Sequence, residues 1–253
     1  MTVRLRTPLL LSLLIVFYFL FSYSCFHGWW NSSIGSIIII FISYLIWKKG
    51  FLKQIGLQLN LRTIAKSIIL AVIIATCSLL IMKYIGNKNN IHVEYFNWRD
   101  YYHVMFYTLN EEIVLGAILL FTMVHRWKIK PMVASLCLAL FFSLIHYVFY
   151  KWIFLDRGVL GIPALITLFL VGFVRNSLII QTGHIGYSWA LHFGWIAIMF
   201  GSNHTYLNTN MSVTEPERFN LYLGSTEMLI ISIIMAFVTV NAKPFHASKR
   251  LNK

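Results

Sequence analysis

Residues 64–85 read IAKSIILAVIIATCSLLIMKYI, and their apolar side chains follow one another instead of alternating with polar ones. The whole chain of 253 residues is 58% hydrophobic and only 11% charged, with a mean hydropathy of +0.72. A soluble domain of this length has no interior large enough to bury so much apolar surface. The sequence therefore predicts an integral membrane protein, because bilayer hydrocarbon is the solvent that suits this composition.

Helices and closed barrels satisfy their backbone groups in hydrocarbon, and continuous apolar runs favour helices. We expect one all-α domain over residues 1–253, a polytopic membrane helical bundle with about eight transmembrane helices. The first run is too long for a signal peptide and no small-residue cleavage site follows it, so we expect it to be retained as a span. The predicted segments lie near Pro8–Phe26, Ile34–Trp47, Ile64–Ile85, Tyr102–Val124, Met132–Tyr150, Ile162–Ile180, Ile185–Gly201 and Met228–Val240.

The basic residues are unevenly distributed between the predicted loops, and the net charge is +13. If the N-terminus is cytoplasmic, 15 of the 21 Lys and Arg residues fall on the inner side, which is the positive-inside pattern. The charge therefore reflects membrane topology, and we expect the lipid bilayer, not nucleic acid, as the partner. We expect both termini in the cytoplasm, in a bacterial inner membrane. The six outer residues are Lys83, Lys88, Arg99, Lys151, Arg157 and Arg218.

Glu111 and Glu112 lie within the fourth predicted span. A carboxylate in hydrocarbon costs on the order of 3 kcal/mol, so two in succession are not expected on a lipid-facing surface. Successive helical residues point about 100° apart, and the two side chains therefore cannot share one partner equally. We expect one glutamate to line a polar cavity and the other to be held by a structural partner. A helix-packing role for both is the structural alternative.

Two histidines lie in other predicted spans: His146 in the fifth and His192 in the seventh. Ser188 lies one turn before His192, and Trp195 lies three residues after it. A single buried histidine is more often a satisfied core residue than a functional one. Because a glutamate pair lies at comparable depth, we expect Glu111, His146 and His192 to converge in the outer half of the bilayer.

Three separated motifs resemble those of a known family. Residues 110–116, NEEIVLG, are similar to its Glu-Glu-x-x-x-Arg motif, and residues 142–146, FSLIH, match its Phe-x-x-x-His motif. The Thr182-Gly183 pair before His192 resembles its Thr-Gly turn. The family is that of the CAAX proteases and bacteriocin-processing enzymes, which includes the type II CAAX prenyl endopeptidases, glutamic-type intramembrane proteases. The resemblance covers a core of about residues 100–202.

The resemblance implies intramembrane hydrolysis of a membrane protein or peptide substrate. Glu111 would act as general base on a water molecule that His146 orients. His192 and a neighbouring donor would stabilise the tetrahedral oxyanion. Glu112 would be structural or would tune Glu111.

The chain departs from the family pattern at two positions. Gly116 stands where arginine is usual, four residues after the second glutamate, so another group must hold that carboxylate. We expect this group to be Arg175 of the sixth span. Ile196 stands where an asparagine or aspartate is usual. Ser188 or the indole N–H of Trp195 is expected to replace that group.

Other functions remain open at this point. The set Glu111, His146 and His192 is a known kind of zinc ligand set, but the His-Glu-x-x-His spacing of helical zinc peptidases is absent, so we expect no cofactor. The losses at positions 116 and 196 favour an inactive relative, an immunity or scaffold protein that binds a membrane peptide. A proton-coupled carrier is a third possibility, although the chain lacks evident inverted repeats.

Overall fold

The computed structural model describes residues 3–26, 31–95, 98–149, 151 and 159–242. The topology prediction also uses Arg157 and the basic residues within 243–253, which lie outside these ranges. The described helices are α1 (Val3–Phe26), α2 (Ser32–Trp47), α3 (Phe51–Gln54), α4 (Leu61–Lys88), α5 (Trp98–Glu111), α6 (Leu119–Phe121), α7 (Pro131–Val148), α8 (Ile162–Thr182), α9 (Gly186–Gly201), α10 (Glu215–Arg218) and α11 (Thr226–Ala242).

Shorter elements join these helices. A 3₁₀ turn covers Lys48–Gly50, and π-helical segments cover Glu112–Ile118, Thr122–Arg126 and Phe219–Leu223. Two strands, β1 (Ile91–Tyr95) and β2 (Ser202–Tyr206), pair antiparallel, with Ile91 opposite Tyr206. This two-stranded sheet joins the end of α4 to the end of α9.

The all-helical prediction is confirmed, but eight spans are not. Among the described residues, six helical stretches are long and apolar enough to cross a membrane, or seven if the pair Glu215–Leu223 and Thr226–Ala242, bent by 64°, counts as one. The helix at the seventh predicted segment, α9, has 16 residues. At about 1.5 Å per residue it rises about 24 Å, which is less than the hydrocarbon thickness of about 30 Å. The six stretches are Pro8–Cys25, Ser32–Gln54, Leu61–Lys88, Tyr101–Arg126, Pro131–Val148 and Ile162–Thr182.

Local sequence signals set the ends of the helices around the site. The Asn60 side chain accepts hydrogen bonds from the backbone N–H groups of the first turn of α4. Pro131 begins α7, where a missing N–H costs nothing. Gly183 ends α8 in the left-handed region, with φ of 68°, which a residue with a Cβ rarely adopts. The turn at Gly183 returns the chain, so that α9 packs back against α8.

The interior combines an apolar core with buried polar side chains. α9 lies centrally and packs against α4, α5 and α8. By contrast, large apolar side chains of α4 point outward: Ile69 is 60% exposed and Val72 is 62% exposed. Exposed apolar faces around a partly polar interior are what a bilayer requires of a helical bundle.

Candidate active site

The two glutamates lie where the fourth span changes its helical form. α5 ends at Glu111, and the π-helical segment begins at Glu112. π-Helical turns are rare, and they occur frequently at functional sites. The exposed fraction is 2% for Glu111 and 0% for Glu112, so both carboxylates need compensating partners from other helices.

Arg175 of α8 contacts both carboxylates. Its Nη1 donates to Oε1 of Glu111 at 3.2 Å, and its Nη2 forms an ion pair with Oε1 of Glu112. Arg175 is itself buried. Arg175 is the partner that the sequence predicts for Glu112, and the two side chains are in contact. The two glutamates therefore share one partner, contrary to the expectation from their positions on the helix, because the planar guanidinium presents several separate N–H donors.

Two residues of α9 complete the surroundings of Glu112. Ser188 Oγ donates to Glu112 Oε2 at 2.5 Å, and His192 Nδ1 lies 3.0 Å from Glu112 Oε1. Ser188 and His192 are four residues apart, so they share one face of α9. Glu112 therefore has the character of a structural carboxylate that orients His192. The other ring nitrogen of His192, Nε2, makes none of these bonds.

Gly116 lies four residues after Glu112, where the resemblance implies an arginine. A Cβ at this position would lie 2.9 Å from Ile179 Cδ1 and 3.1 Å from Glu112 Oε2. Ile179 and the carboxylate itself therefore occupy the space that a side chain would need. This packing is a physical reason for the departure: the cation of Glu112 comes from α8 and not from its own helix.

His146 is held by its own helix. Its Nδ1 lies 2.7 Å from the carbonyl oxygen of Phe142. A carbonyl only accepts, so Nδ1 carries the hydrogen and Nε2 of the neutral ring keeps a lone pair. The Phe142 ring connects His146 to the ion cluster: its centroid is 4.5 Å from the His146 ring and 4.4 Å from the guanidinium carbon of Arg175.

The three predicted residues Glu111, His146 and His192 line one cavity of about 60 Å³. This volume is sufficient for a few water molecules. Glu215 at the start of α10 also lines it, on the side of the molecule that carries β1 and β2. The remaining walls are Tyr18, Phe19, Ser22, Tyr107, Leu115, Ile145, Phe149, Ile196, Phe200 and Phe219.

The cluster groups two carboxyl groups with one guanidinium and one imidazole, and all four side chains are buried.

The structure separates the two residues proposed as replacements for the missing amide. Ile196 lines the cavity, so an apolar side chain stands where the resemblance implies an amide or carboxylate. Ser188 is bonded to Glu112. Trp195 does not line this cavity. It lines a second one on the other side of His192.

Two cavity residues, Tyr107 and Tyr18, were not among the candidates from sequence. Tyr107 precedes Glu111 by four residues, so helical spacing alone places it on the same face. Tyr18 comes from α1 and is 3% exposed. Its position depends on how α1 packs against the other helices, for which the sequence carries no local signal.

The described side chains do not form the ligand cluster that the zinc alternative requires. Within the described ranges, no three His, Cys, Asp or Glu side chains are grouped so that they could hold a metal ion. The carboxylate oxygens nearest His192 are already paired with the guanidinium of Arg175. The residues present therefore do not fit a metal centre, and no metal enters the chemistry below.

Comparison of the chain with protein-family models, with curated proteins and with solved structures finds no match. The interpretation of the site therefore depends on its own geometry and chemistry.

Proposed function

We propose that the chain is an intramembrane endopeptidase with chemistry like that of the CAAX protease and bacteriocin-processing family. One observation carries the proposal: Glu111, His146 and His192 reach one small cavity from three different helices. A carboxylate and two imidazoles around a few waters can supply the base and the hydrogen-bond donor that amide hydrolysis without a covalent intermediate requires.

In the proposed reaction, Nε2 of His146 orients a water molecule beside Glu111. Glu111 accepts a proton from this water as its oxygen attacks the peptide carbonyl carbon. The resulting oxyanion receives a hydrogen bond from protonated Nε2 of His192. Glu111 then returns the proton to the amide nitrogen as the C–N bond breaks, which gives a carboxylic acid and an amine.

Glu112, Ser188 and Arg175 position the residues that are proposed to react. Glu112 holds Nδ1 of His192, and Ser188 fixes the other oxygen of Glu112. Arg175 links both carboxylates to α8. A group that orients a catalytic histidine through its second nitrogen fixes the tautomer and direction of the ring.

The proposed substrate is a membrane-associated or exported protein. Glu215 borders the cavity, and the topology proposed from the basic residues puts Glu215 at the outer face of the membrane. We place the protein in a bacterial cytoplasmic membrane with both termini in the cytoplasm, which requires α9 and the bent pair ending in α11 to count as crossings beside the six stretches. Water and substrate would then reach the site from the outer half of the bilayer.

A second candidate is a non-catalytic relative that binds a membrane peptide as an immunity or scaffold protein. Two observations favour it: Oε1 of Glu111 is paired with Arg175, and Ile196 places an apolar side chain at the cavity. The catalytic proposal requires that the second oxygen of Glu111, Oε2, takes the proton.

Comparison of the membrane proteome of cells with the wild-type chain and with Glu111→Gln tests the proposal. We expect unprocessed precursors to accumulate with Glu111→Gln, because loss of a general base lowers the rate by about 10²–10⁴. Glu94→Gln is the matched control, since Glu94 is an exposed residue of β1 that is paired with His92. Full processing by both Glu111→Gln and His146→Ala would refute the protease and favour the binding protein.

A further inference from the structure

A separate cavity of about 200 Å³, called the basic cavity below, lies where the fourth span ends. Its wall includes His125 and Arg126, the last two residues of that span, and Gln54, the last residue of the second spanning stretch. Leu11 of α1 and Trp47 of α2 also line it. Because two spanning stretches end here, the basic cavity lies at the boundary between hydrocarbon and water. The proposed reaction does not use this space.

Two basic side chains on this wall have no hydrogen-bond or ion-pair partner within the described part of the chain. Nε2 of His125 is enclosed and makes no hydrogen bond. Arg126 is exposed, and no described carboxylate pairs with its guanidinium. A buried polar nitrogen without a partner is costly, and native proteins leave few such groups. An unpaired imidazole and an unpaired guanidinium at one cavity suit a ligand with several acceptor oxygens.

The surroundings of the basic cavity carry positive charge and no acidic residue to balance it. The described wall comes entirely from residues 1–93 and 113–155, and these two stretches contain no Asp or Glu. The charges of Lys53 and Lys128 also act on the ring of His125. Like charges that are gathered without a counter-charge repel one another, so an anion is the ligand that this site favours.

The size and the position of the basic cavity indicate which anion it suits. Pockets for ligands of drug size have about 300–1,000 Å³. A cavity of about 200 Å³ is smaller, and it therefore suits a phosphate-bearing headgroup better than a nucleotide. The topology proposed above puts this end of the bundle at the cytoplasmic face, where basic pockets between transmembrane helices bind anionic lipid headgroups. Trp47 supplies an indole ring, which is typical of the headgroup level.

We propose that the basic cavity binds the phosphate group of an anionic phospholipid, with Arg126 and His125 as donors to the phosphate oxygens. The planar guanidinium can donate two parallel hydrogen bonds to a phosphate. A phosphate held there would join the end of the fourth span to α2 and α3, and so stabilise the bundle. The site is independent of the proposed protease chemistry, because none of its described wall residues lines either cavity beside His192.

Thermal unfolding of the full chain in detergent micelles that contain phosphatidylglycerol or phosphatidylcholine tests the proposal. A ligand that binds only the folded state raises the Tm. At a lipid concentration about 100 times the Kd, we expect phosphatidylglycerol to raise the Tm by about 5–10 °C. Phosphatidylcholine should raise it less, since its choline cation compensates the phosphate charge and the described wall has no carboxylate for that cation.

Two variants and one matched control locate the binding. Arg126→Gln removes a charge-assisted hydrogen bond and should weaken binding about tenfold, which lowers the shift in Tm by about half. His125→Phe keeps a ring beside Phe121 but removes both ring nitrogens, and it should also lower the shift. Arg62→Gln should keep the full shift, because Arg62 is an exposed arginine at the start of α4, on the same predicted side, that does not line the basic cavity.

Without lipid, the variants should unfold close to the Tm of the wild type, because the altered side chains have no partner within the described part of the chain. An equal shift with phosphatidylcholine would overturn the inference, since it would reflect a general effect of lipid. Equal losses in Arg126→Gln and Arg62→Gln would overturn it as well, by assigning the effect to the whole basic surface. A full shift with sodium phosphate or glycerol 3-phosphate, without lipid, would assign the site to a soluble phosphate and not to a phospholipid.

Discussion

Replacing Arg175 by methionine removes the positive charge from two buried carboxylates while it keeps an unbranched side chain of similar length. Nη1 of Arg175 lies 3.2 Å from Glu111 Oε1, and Nη2 pairs with Glu112. Two unit charges at this separation attract by about 5 kcal/mol at an effective dielectric constant of about 20. Breaking a buried pair by removing one partner costs about 3–5 kcal/mol, because the remaining charge stays buried. We expect Arg175→Met to lose this amount of stability.

The assay is reversible unfolding in mixed micelles by titration with sodium dodecyl sulfate. Three variants form the cycle: Arg175→Met, Glu112→Gln and the double variant. The double variant should recover at least half of the loss, because a neutral amide at position 112 no longer needs the cation. Arg126→Met is the control for a change of the same residue type at an exposed position, and its effect should stay within about 0.5 kcal/mol.

Equal stability of Arg175→Met and Arg126→Met would refute the view that the guanidinium compensates the carboxylates. A double variant no more stable than Arg175→Met would refute it in another way. The loss would then come from packing of the guanidinium on the Phe142 ring, 4.4 Å from its centroid, and not from charge.

Two further changes test the packing around Glu112 and a buried histidine of the two-stranded sheet. Gly116→Ala should destabilise the fold by about 1–3 kcal/mol in the same titration, because its Cβ would meet Glu112 Oε2 at 3.1 Å; Gly50→Ala, with open space around it, should not. Burial lowers the pKa of His204 in β2 to about 4. The neutral ring therefore stabilises the fold fully above pH 6.5. This stabilisation, about 3 kcal/mol, is lost as pH falls toward 4. Thermal unfolding at pH 7 and pH 4.5 should show this loss of stability in the wild type and less of it in His204→Gln. Equal losses in the two proteins would contradict the view that protonation of His204 causes the loss.

The helices were predictable from sequence because hydrophobicity alone determines them. A continuous apolar run in a chain of this composition has no stable alternative to a helix in hydrocarbon. The number of spans was not predictable with the same certainty. α9 is apolar but has only 16 residues, and the last helix is bent by 64° after Leu223. Apolar composition does not distinguish a short buried helix from a full crossing.

Contacts between distant parts of the chain were harder to predict from the sequence. β1 and β2 are separated by more than a hundred residues, and neither carries a hairpin signal that would predict their pairing. The contact of Arg175 with the glutamates could be proposed because a buried carboxylate requires a cation. The placement of Trp195 at a second cavity could not, since helical spacing gives its angle on α9 but not which neighbour it faces.

The substitution at position 116 and the arginine at position 175 form one arrangement. An arginine one turn after Glu112 would hold the carboxylate within a single helix. Here Gly116 leaves room for the carboxylate and for Ile179, and a guanidinium from α8 approaches instead. The ion pair therefore spans two helices, so the geometry of Glu111 and His192 depends on the packing of α8 against the fourth span. An arginine at position 116 would require Ile179 Cδ1 or the Glu112 carboxylate to move, so the glycine suits the inter-helix pair and is not a simple loss.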